Sequence, residues 1–279
     1  MLLGMAVWGG LLPGRLEAIS RDISLARNDW DYPGDGVVGE PGDGTVLFFG
    51  DSYIRQYYPR IEVLSRSEPW AGKTLLFNTA GGCAPFTGIE RGGWSCNDWA
   101  LAGYRLADRD DVDTIVLGAS WIHAVDRGDY YRADDENRTL LDLRSPDNNW
   151  IFSQMETRIR QWIENNKRVF IILANPDGDD AHPGSKISDR FAWEPSVTRR
   201  KLSLAEHRKN SAFVHGKLRQ IAHSTGAVII DPALWLCRGD VCETESASGI
   251  PLYCDDSHLR ASFVRDQVHY LDDIVKKNP

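Results

Sequence analysis

Two short segments near opposite ends of the chain carry side chains suited to nucleophilic chemistry. The first is Gly50-Asp51-Ser52, which follows an apolar run, Val46 to Phe49. A serine hydroxyl is a poor nucleophile until a base takes its proton, and that base works best when a third group orients it. The second segment, Asp255-Asp256-Ser257-His258, offers both. Histidine titrates near neutrality and suits the base. An aspartate three residues earlier can turn back in a tight loop and hold the ring. Each segment alone has a plainer reading. Gly-Asp-Ser is a common turn and helix N-cap, and Asp255, Asp256 or Ser257 would equally cap a helix with His258 on its first turn. The conjunction of Ser52 with Asp255 and His258 favours a serine nucleophile with its base and orienting acid.

Such residues need a fold that returns both segments to one edge. Five apolar runs read as strands: Val46 to Gly50, Thr74 to Phe77, Thr114 to Gly118, Arg168 to Ala174 and Ala227 to Asp231. They are continuous rather than alternating, as suits parallel strands covered on both faces. Segments with helical spacing separate them: Asp98 to Arg109, Ile151 to Asn165 and Pro195 to Thr225, with Ala261 to Lys276 as a last helix. This alternation predicts an α/β fold, with a central parallel sheet of about five strands and helices on both faces. Ligands of such sheets bind at the carboxyl ends of the strands, where Ser52 falls.

The 279 residues suit one large domain, expected over 45–279. Residues 1–44 divide into three parts. Arg15 to Arg27 reads as a short helix, and Asp31 to Gly44, dense in Gly, Pro and Asp, reads as a linker. Met1 to Pro13 is an apolar run too short to span a bilayer alone. It also lacks the basic start and cleavage site of a signal peptide. It reads either as the tail of a longer membrane helix or as a buried or disordered terminal segment.

The net charge of -8 argues against a nucleic-acid partner. Of five cysteines, Cys237 and Cys242 bracket a short polar segment and Cys83 and Cys96 flank a Gly/Pro/Trp-rich loop. Both spacings fit loop-closing disulfides, which point to an oxidising compartment. A zinc site is the rival, but no CxxC or HxxxH spacing supports it. Cys254 is left over beside Asp255. The ten tryptophans suit either core packing or sugar faces. His123, His182, His207, His215, His223 and His269 match no catalytic pattern and read as surface or helix-face residues. Lys186, Arg190 and Trp193 fall in or near the loop after the fourth strand, where they would meet substrate if that loop lines the cleft.

Gly-Asp-Ser after the first strand and Asp-x-x-His before the last helix resemble blocks I and V of the SGNH hydrolase family, over roughly Thr45 to the C-terminus. The resemblance implies a three-layer flavodoxin-like fold, a triad of Ser52, His258 and Asp255, and no metal or diffusible cofactor. It also implies an oxyanion hole built from the Ser52 N–H and a block II glycine. Asn78-Thr79-Ala80-Gly81-Gly82-Cys83 stands where block II belongs, and Gly82 is favoured over Gly81. The plainer reading is a turn before Cys83. Block III, normally Gly-x-Asn-Asp, reads Gly118-Ala119-Ser120-Trp121, so the Asn is absent and Ser120 or a backbone N–H must serve.

The Gly81 to Phe86 loop (GGCAPF), the altered block III and the Asp-Asp-Ser-His-Leu ending look like SGNH domains fused to acyltransferase family 3 membrane proteins. Those proteins O-acetylate bacterial surface polysaccharides. This implies a periplasmic or otherwise extracytoplasmic, membrane-associated domain. Its partners would be an acyl donor, a glycan acceptor and a membrane acyltransferase domain in cis or in trans, with Met1 to Pro13 as the remnant of a last membrane helix. Three functions compete: an O-acyltransferase acting on a polysaccharide or lipopolysaccharide sugar, an acetylesterase of the same fold, and a non-catalytic glycan-binding module. The missing Asn favours the last; Ser52, Asp255 and His258 oppose it.

Overall fold

Val46, Leu47, Phe48 and Phe49 are all fully buried, so the strand they form is covered on both faces. Burying one Phe side chain contributes about 1.5–3 kcal/mol. The computed structural model describes residues 21–188, 196–197 and 201–275, with side chains undescribed over 186–188 and 196–197. Met1 to Pro13, Arg190, Trp193 and the Lys186 side chain lie outside the described residues.

Six strands build the central sheet: β1 (Gly36–Val38), β2 (Thr45–Gly50), β3 (Thr74–Thr79), β4 (Val112–Gly118), β5 (Arg168–Ile172) and β6 (Val228–Ile230). Their spatial order is β1-β3-β2-β4-β5-β6. β2 to β6 are parallel, and β1 runs antiparallel on the edge, with Val37 opposite Leu76. The five expected strands are present, in the order of a flavodoxin-like sheet. Seven helices position the site: α1 (Ser52–Arg55), α2 (Tyr58–Leu64), α3 (Cys96–Ala107), α4 (Trp121–Asp126), α5 (Trp150–Glu164), α6 (Leu204–Thr225) and α7 (Ala261–Gln267). Leu47 and Phe49 join one core with Tyr104 of α3, Trp162 of α5 and Leu218 of α6. Val46 and Phe48 join the other with Ile61 of α2 and Val264 of α7. The result is three layers, helices on both sides of the sheet.

The sequence expectations differ from the structure in three places. The stretch read as a linker supplies β1. Just before it, Asp29 accepts from Arg260 Nε at 2.8 Å, and Asp35 accepts the Thr79 N–H at 2.9 Å. β1 has only three residues and no apolar period; the open edge of β3 decides its pairing. The helix expected from Pro195 starts at Leu204, because Leu202 and Ser203 pair with Cys242 and Val241. The Ser203 hydroxyl then caps it, accepting the Glu206 N–H at 3.2 Å. The last helix stops at Gln267 rather than Lys276, with Val268 extended. Beyond it, Arg60 pairs with Asp272, and the Asp272 carbonyl accepts the Trp70 indole N–H at 3.0 Å. These tertiary bonds replace a continued helical ladder.

Disulfides join Cys83 to Cys96 and Cys237 to Cys242, and Cys254 is free and buried. Among the described residues no helix is long and apolar enough to cross a membrane.

Candidate active site

β2 and β4 approach so closely at their carboxyl ends that a Cβ on Gly50 would sit 1.8 Å from the Gly118 carbonyl oxygen. Only glycine fits there. The chain then turns, and Asp51 caps α1 by accepting the Tyr53 N–H at 2.8 Å. The other oxygen of Asp51 accepts the Ser120 N–H at 2.9 Å. One buried carboxylate thus staples the start of α1 to the turn after β4 and holds Ser52 at the sheet's carboxyl edge. Burial pushes the Asp51 carboxyl up to about 6, against the pull of these two N–H donors.

His258 comes from the loop before α7. Tyr253 and Leu259 bridge the base of that loop, and the Cys254 N–H donates to the His258 carbonyl at 2.9 Å. Inside the turn, Asp255 Oδ1 accepts the N–H groups of Ser257 (2.8 Å) and His258 (2.6 Å). Its Oδ2 accepts His258 Nδ1–H at 2.7 Å. Burial opposes the Asp255 charge. The hydrogen bond and charge of His258, with the two backbone N–H groups, prevail and hold its carboxyl well below the usual range. A carboxylate on Nδ1 fixes the tautomer, leaving a lone pair on Nε2. That nitrogen lies 2.7 Å from Ser52 Oγ. The three residues singled out from sequence are therefore brought together, in a geometry able to take the serine proton and steady the base.

A buried polar network fixes this loop on the sheet. Gln56 Oε1, one turn after Ser52, accepts the Leu259 N–H at 2.9 Å. Gln56 Nε2 donates to Asn175 Oδ1 at 3.1 Å, and Asn175 Nδ2 donates to the Ser257 carbonyl at 2.9 Å. The Gly178 N–H donates to the Asp256 carbonyl at 2.8 Å. α1, the end of β5 and the His258 loop thus form one hydrogen-bonded unit.

On the opposite side stands Gly82, after β3, with φ +75°. Arg91 Nη1 donates to its carbonyl at 3.0 Å, and Asp129 holds Arg91 at 2.7 Å. No hydrogen bond among the described residues uses the Gly82 N–H. The Ser52 N–H, at the start of α1, has no intrahelical partner. The Ser120 N–H is already committed to Asp51, so of the expected third donor the Ser120 hydroxyl remains, and it faces the Tyr53 hydroxyl.

Sequence reasoning missed several neighbours. The Trp30 ring meets His258 edge-on at 5.1 Å while staying 39% exposed. Asp177 Oδ2 accepts the Tyr53 hydroxyl at 2.8 Å and lies 3.2 Å from His123 Nε2, so His123 is not a bare surface histidine. Burial raises the Asp177 carboxyl, opposed by the Tyr53 hydroxyl and by His123 and His207. Asn175 and Asp177 follow the strongest apolar strand, and the rule that ligands gather at carboxyl ends would have flagged them. Trp30 precedes every periodic strand and gave no signal. Cys254 packs under the same loop, and burial together with the Asp255 charge pushes its thiol up to about 12. A cavity of about 860 Å³ lies elsewhere, lined by Trp235, Phe263 and Tyr270 rather than by Ser52.

Among solved structures, the periplasmic domain of a lipopolysaccharide acetyltransferase from Salmonella ser. Paratyphi A is similar, with TM-score 0.60 and 14% identity over 85% of each chain. At that identity the likeness is one of fold. A carbohydrate acetylesterase family member from Sinorhizobium meliloti is a looser match, with TM-score 0.43 and 15% identity over 83% of this chain and 97% of that one. No curated protein matches this sequence. Residues 24–267 match the model of the family described as SGNH domain (fused to AT3 domains). With most of its length covered and its motifs meeting over the expected sheet, the chain belongs to the SGNH domains of the kind fused to AT3 domains.

Proposed function

We propose that this chain is a serine-dependent acyltransferase that O-acetylates a sugar of a cell-envelope polysaccharide or lipopolysaccharide, with Ser52, His258 and Asp255 as its triad. The observation that carries this reading is the continuous 2.7 Å and 2.7 Å hydrogen-bond path from Ser52 Oγ through His258 to Asp255. Membership of a family fused to AT3 domains supports transfer, and so does the acetyltransferase named among the similar folds. Two disulfides fit an extracytoplasmic site. The folded domain reaches back past the expected start at Thr45 to take in β1 and Asp29, and the segment before it is taken to lead toward a membrane partner, in cis or in trans.

The chemistry runs in two halves. As the Ser52 oxygen bonds to the acyl carbon, its proton passes to His258 Nε2 and the carbonyl electrons move onto oxygen. The N–H groups of Ser52 and Gly82, with the Ser120 hydroxyl in reach of the same turn, receive that oxyanion. Collapse expels the donor's leaving group with the proton from His258, leaving acetyl-Ser52. An acceptor hydroxyl then gives its proton to His258 and attacks. The second collapse frees the sugar ester and returns the proton to Ser52. Asp255 keeps the ring aligned and steadies the imidazolium. Water in place of the sugar makes the same site an acetylesterase.

The test supplies p-nitrophenyl acetate as donor with bacterial envelope polysaccharides as acceptors and follows sugar-bound acetyl by NMR. Acetylated glycan is expected from the parent, and Ser52→Ala should lower turnover at least about 10³-fold. Free acetate alone, with every acceptor, would favour the esterase. No turnover above Ser52→Ala would favour a binding module.

A further inference from the structure

β2, β4 and β5 are neighbours in the sheet, so the turns leaving their carboxyl ends lie side by side along one sheet edge. Ser52 follows β2, His123 lies on α4 just after β4, and Asp177 follows β5. Asp177 Oδ2 accepts the Tyr53 hydroxyl at 2.8 Å and faces His123 Nε2 at 3.2 Å. Tyr53 is the residue after Ser52, and its ring packs against that of His258 at 5.4 Å. The Asp177–His123 pair therefore stands beside the nucleophile and base. Asp177 is largely buried, whereas the His123 side chain is 41% exposed.

An ionised Asp177 only accepts, so a neutral His123 paired with it carries its proton on Nε2 and offers a lone pair at Nδ1. The device mirrors His258, whose Nδ1 is held by Asp255 and whose Nε2 is free to accept. A surface ring needs no such partner, and burying a carboxylate to hold one costs desolvation. The placement gives that lone pair a use. Gly82 follows β3, on the opposite side of Ser52 from β4 and β5. The attacking hydroxyl must meet His258, and Tyr53 ties that histidine to the Asp177–His123 pair through its ring and its hydroxyl, so an acceptor ring at His258 has the exposed His123 imidazole on the same side.

We infer that His123, held by Asp177, binds the acceptor by taking a hydrogen bond from the hydroxyl vicinal to the one that attacks, which makes a 1,2-diol of a sugar ring the favoured acceptor. The inference rests on the acyl-transfer reading above. It adds no step to that chemistry: the attacking proton still goes to His258, and His123 only orients the ring.

The test uses the chain itself with p-nitrophenyl acetate and two acceptors of equal ring size, trans-1,2-cyclohexanediol and cyclohexanol. The ratio of ester to acetate is measured for the parent, His123→Ala and His123→Gln. The parent should prefer the diol by about tenfold, the worth of one good hydrogen bond. His123→Ala should lose that preference, and His123→Gln, whose amide oxygen still accepts, should keep part of it. An equal loss with both acceptors would show a structural role and overturn the inference. So would a diol preference that survives in His123→Ala, or one absent from the parent. Failure of the parent to form acetyl-Ser52, seen by mass before any acceptor is added, would instead overturn acyl transfer itself.

Discussion

Asp51 is buried beneath the nucleophile, and it makes the site's stability depend on pH. The folded chain binds the Asp51 proton more tightly than the unfolded chain, where the carboxyl has its ordinary value. Protonation therefore favours folding. This contribution is fully present below the ordinary carboxylate range and is lost as pH rises through about 6. Asp255 is held low, so its opposite trend falls on the acid side of that range. Burial also holds His215 down to about 3, which adds stability with rising pH in any variant. Denaturant titrations from about pH 4 to about pH 6.5 should therefore show the parent losing stability relative to Asp51→Asn as pH rises. An identical slope in both proteins would contradict this account. At the residue scale, Ser52, Asp255 and His258 were legible because each motif is short and its chemistry is local. Asp51 stood inside the same motif, but its bond to the Ser120 N–H depends on a strand pairing that no motif encodes. Gln56, Asn175 and Trp30 act through partners far away in sequence.

Between the residues and the sheet, the Gln56–Asn175 network decides where the His258 loop sits. Gln56→Leu removes the acceptor of the Leu259 N–H and strands the Asn175 amide. It should cost about 1–3 kcal/mol in denaturant unfolding. It should also lower kcat for p-nitrophenyl acetate more than it raises KM, because the base is displaced while the cleft remains. A change confined to KM would place the network in substrate binding instead. The five parallel strands were legible at this scale because each holds a continuous apolar run; β2, β4 and β5 are covered on both faces, while β3 alternates and β6 is partly exposed. β1 and the Leu202-Ser203 pairing were not, since two- and three-residue strands are set by their partners. The early end of α7 was hidden for a similar reason: its sequence keeps helical spacing, and Arg60 and Trp70 capture Asp272 from another part of the fold.

For the whole molecule, the fold closes on itself through crosslinks and an N-terminal clasp. Cys83–Cys96 ties the loop carrying Gly82 to the start of α3 across 13 residues. The paired substitution Cys83→Ser with Cys96→Ser should cost about 2–4 kcal/mol and lower Tm by several degrees in calorimetry. An unchanged Tm would mean that the loop is held by other contacts, such as Arg91 on the Gly82 carbonyl. Both disulfides were readable from spacing, because each closes a short polar or Gly-rich loop. The clasp was not. Asp31 to Gly44 looks like a linker in composition, yet its Asp35 grips Thr79 and its Gly36–Val38 forms β1, while just before it Asp29 grips Arg260 and Ser262 and Trp30 covers one edge of His258. Composition reports what a segment lacks in apolar surface; it does not report the edge strand or the part-buried arginine waiting for it.

The central claim is that Ser52 carries the acyl group. Brief exposure of the purified chain to p-nitrophenyl acetate, followed by acid quench and peptide mass spectrometry, tests it most directly. The account predicts one acetyl group on the peptide containing Ser52, formed in the parent and absent in Ser52→Ala. Acetylation elsewhere, equal in both proteins, with Ser52 unmodified throughout, would contradict it.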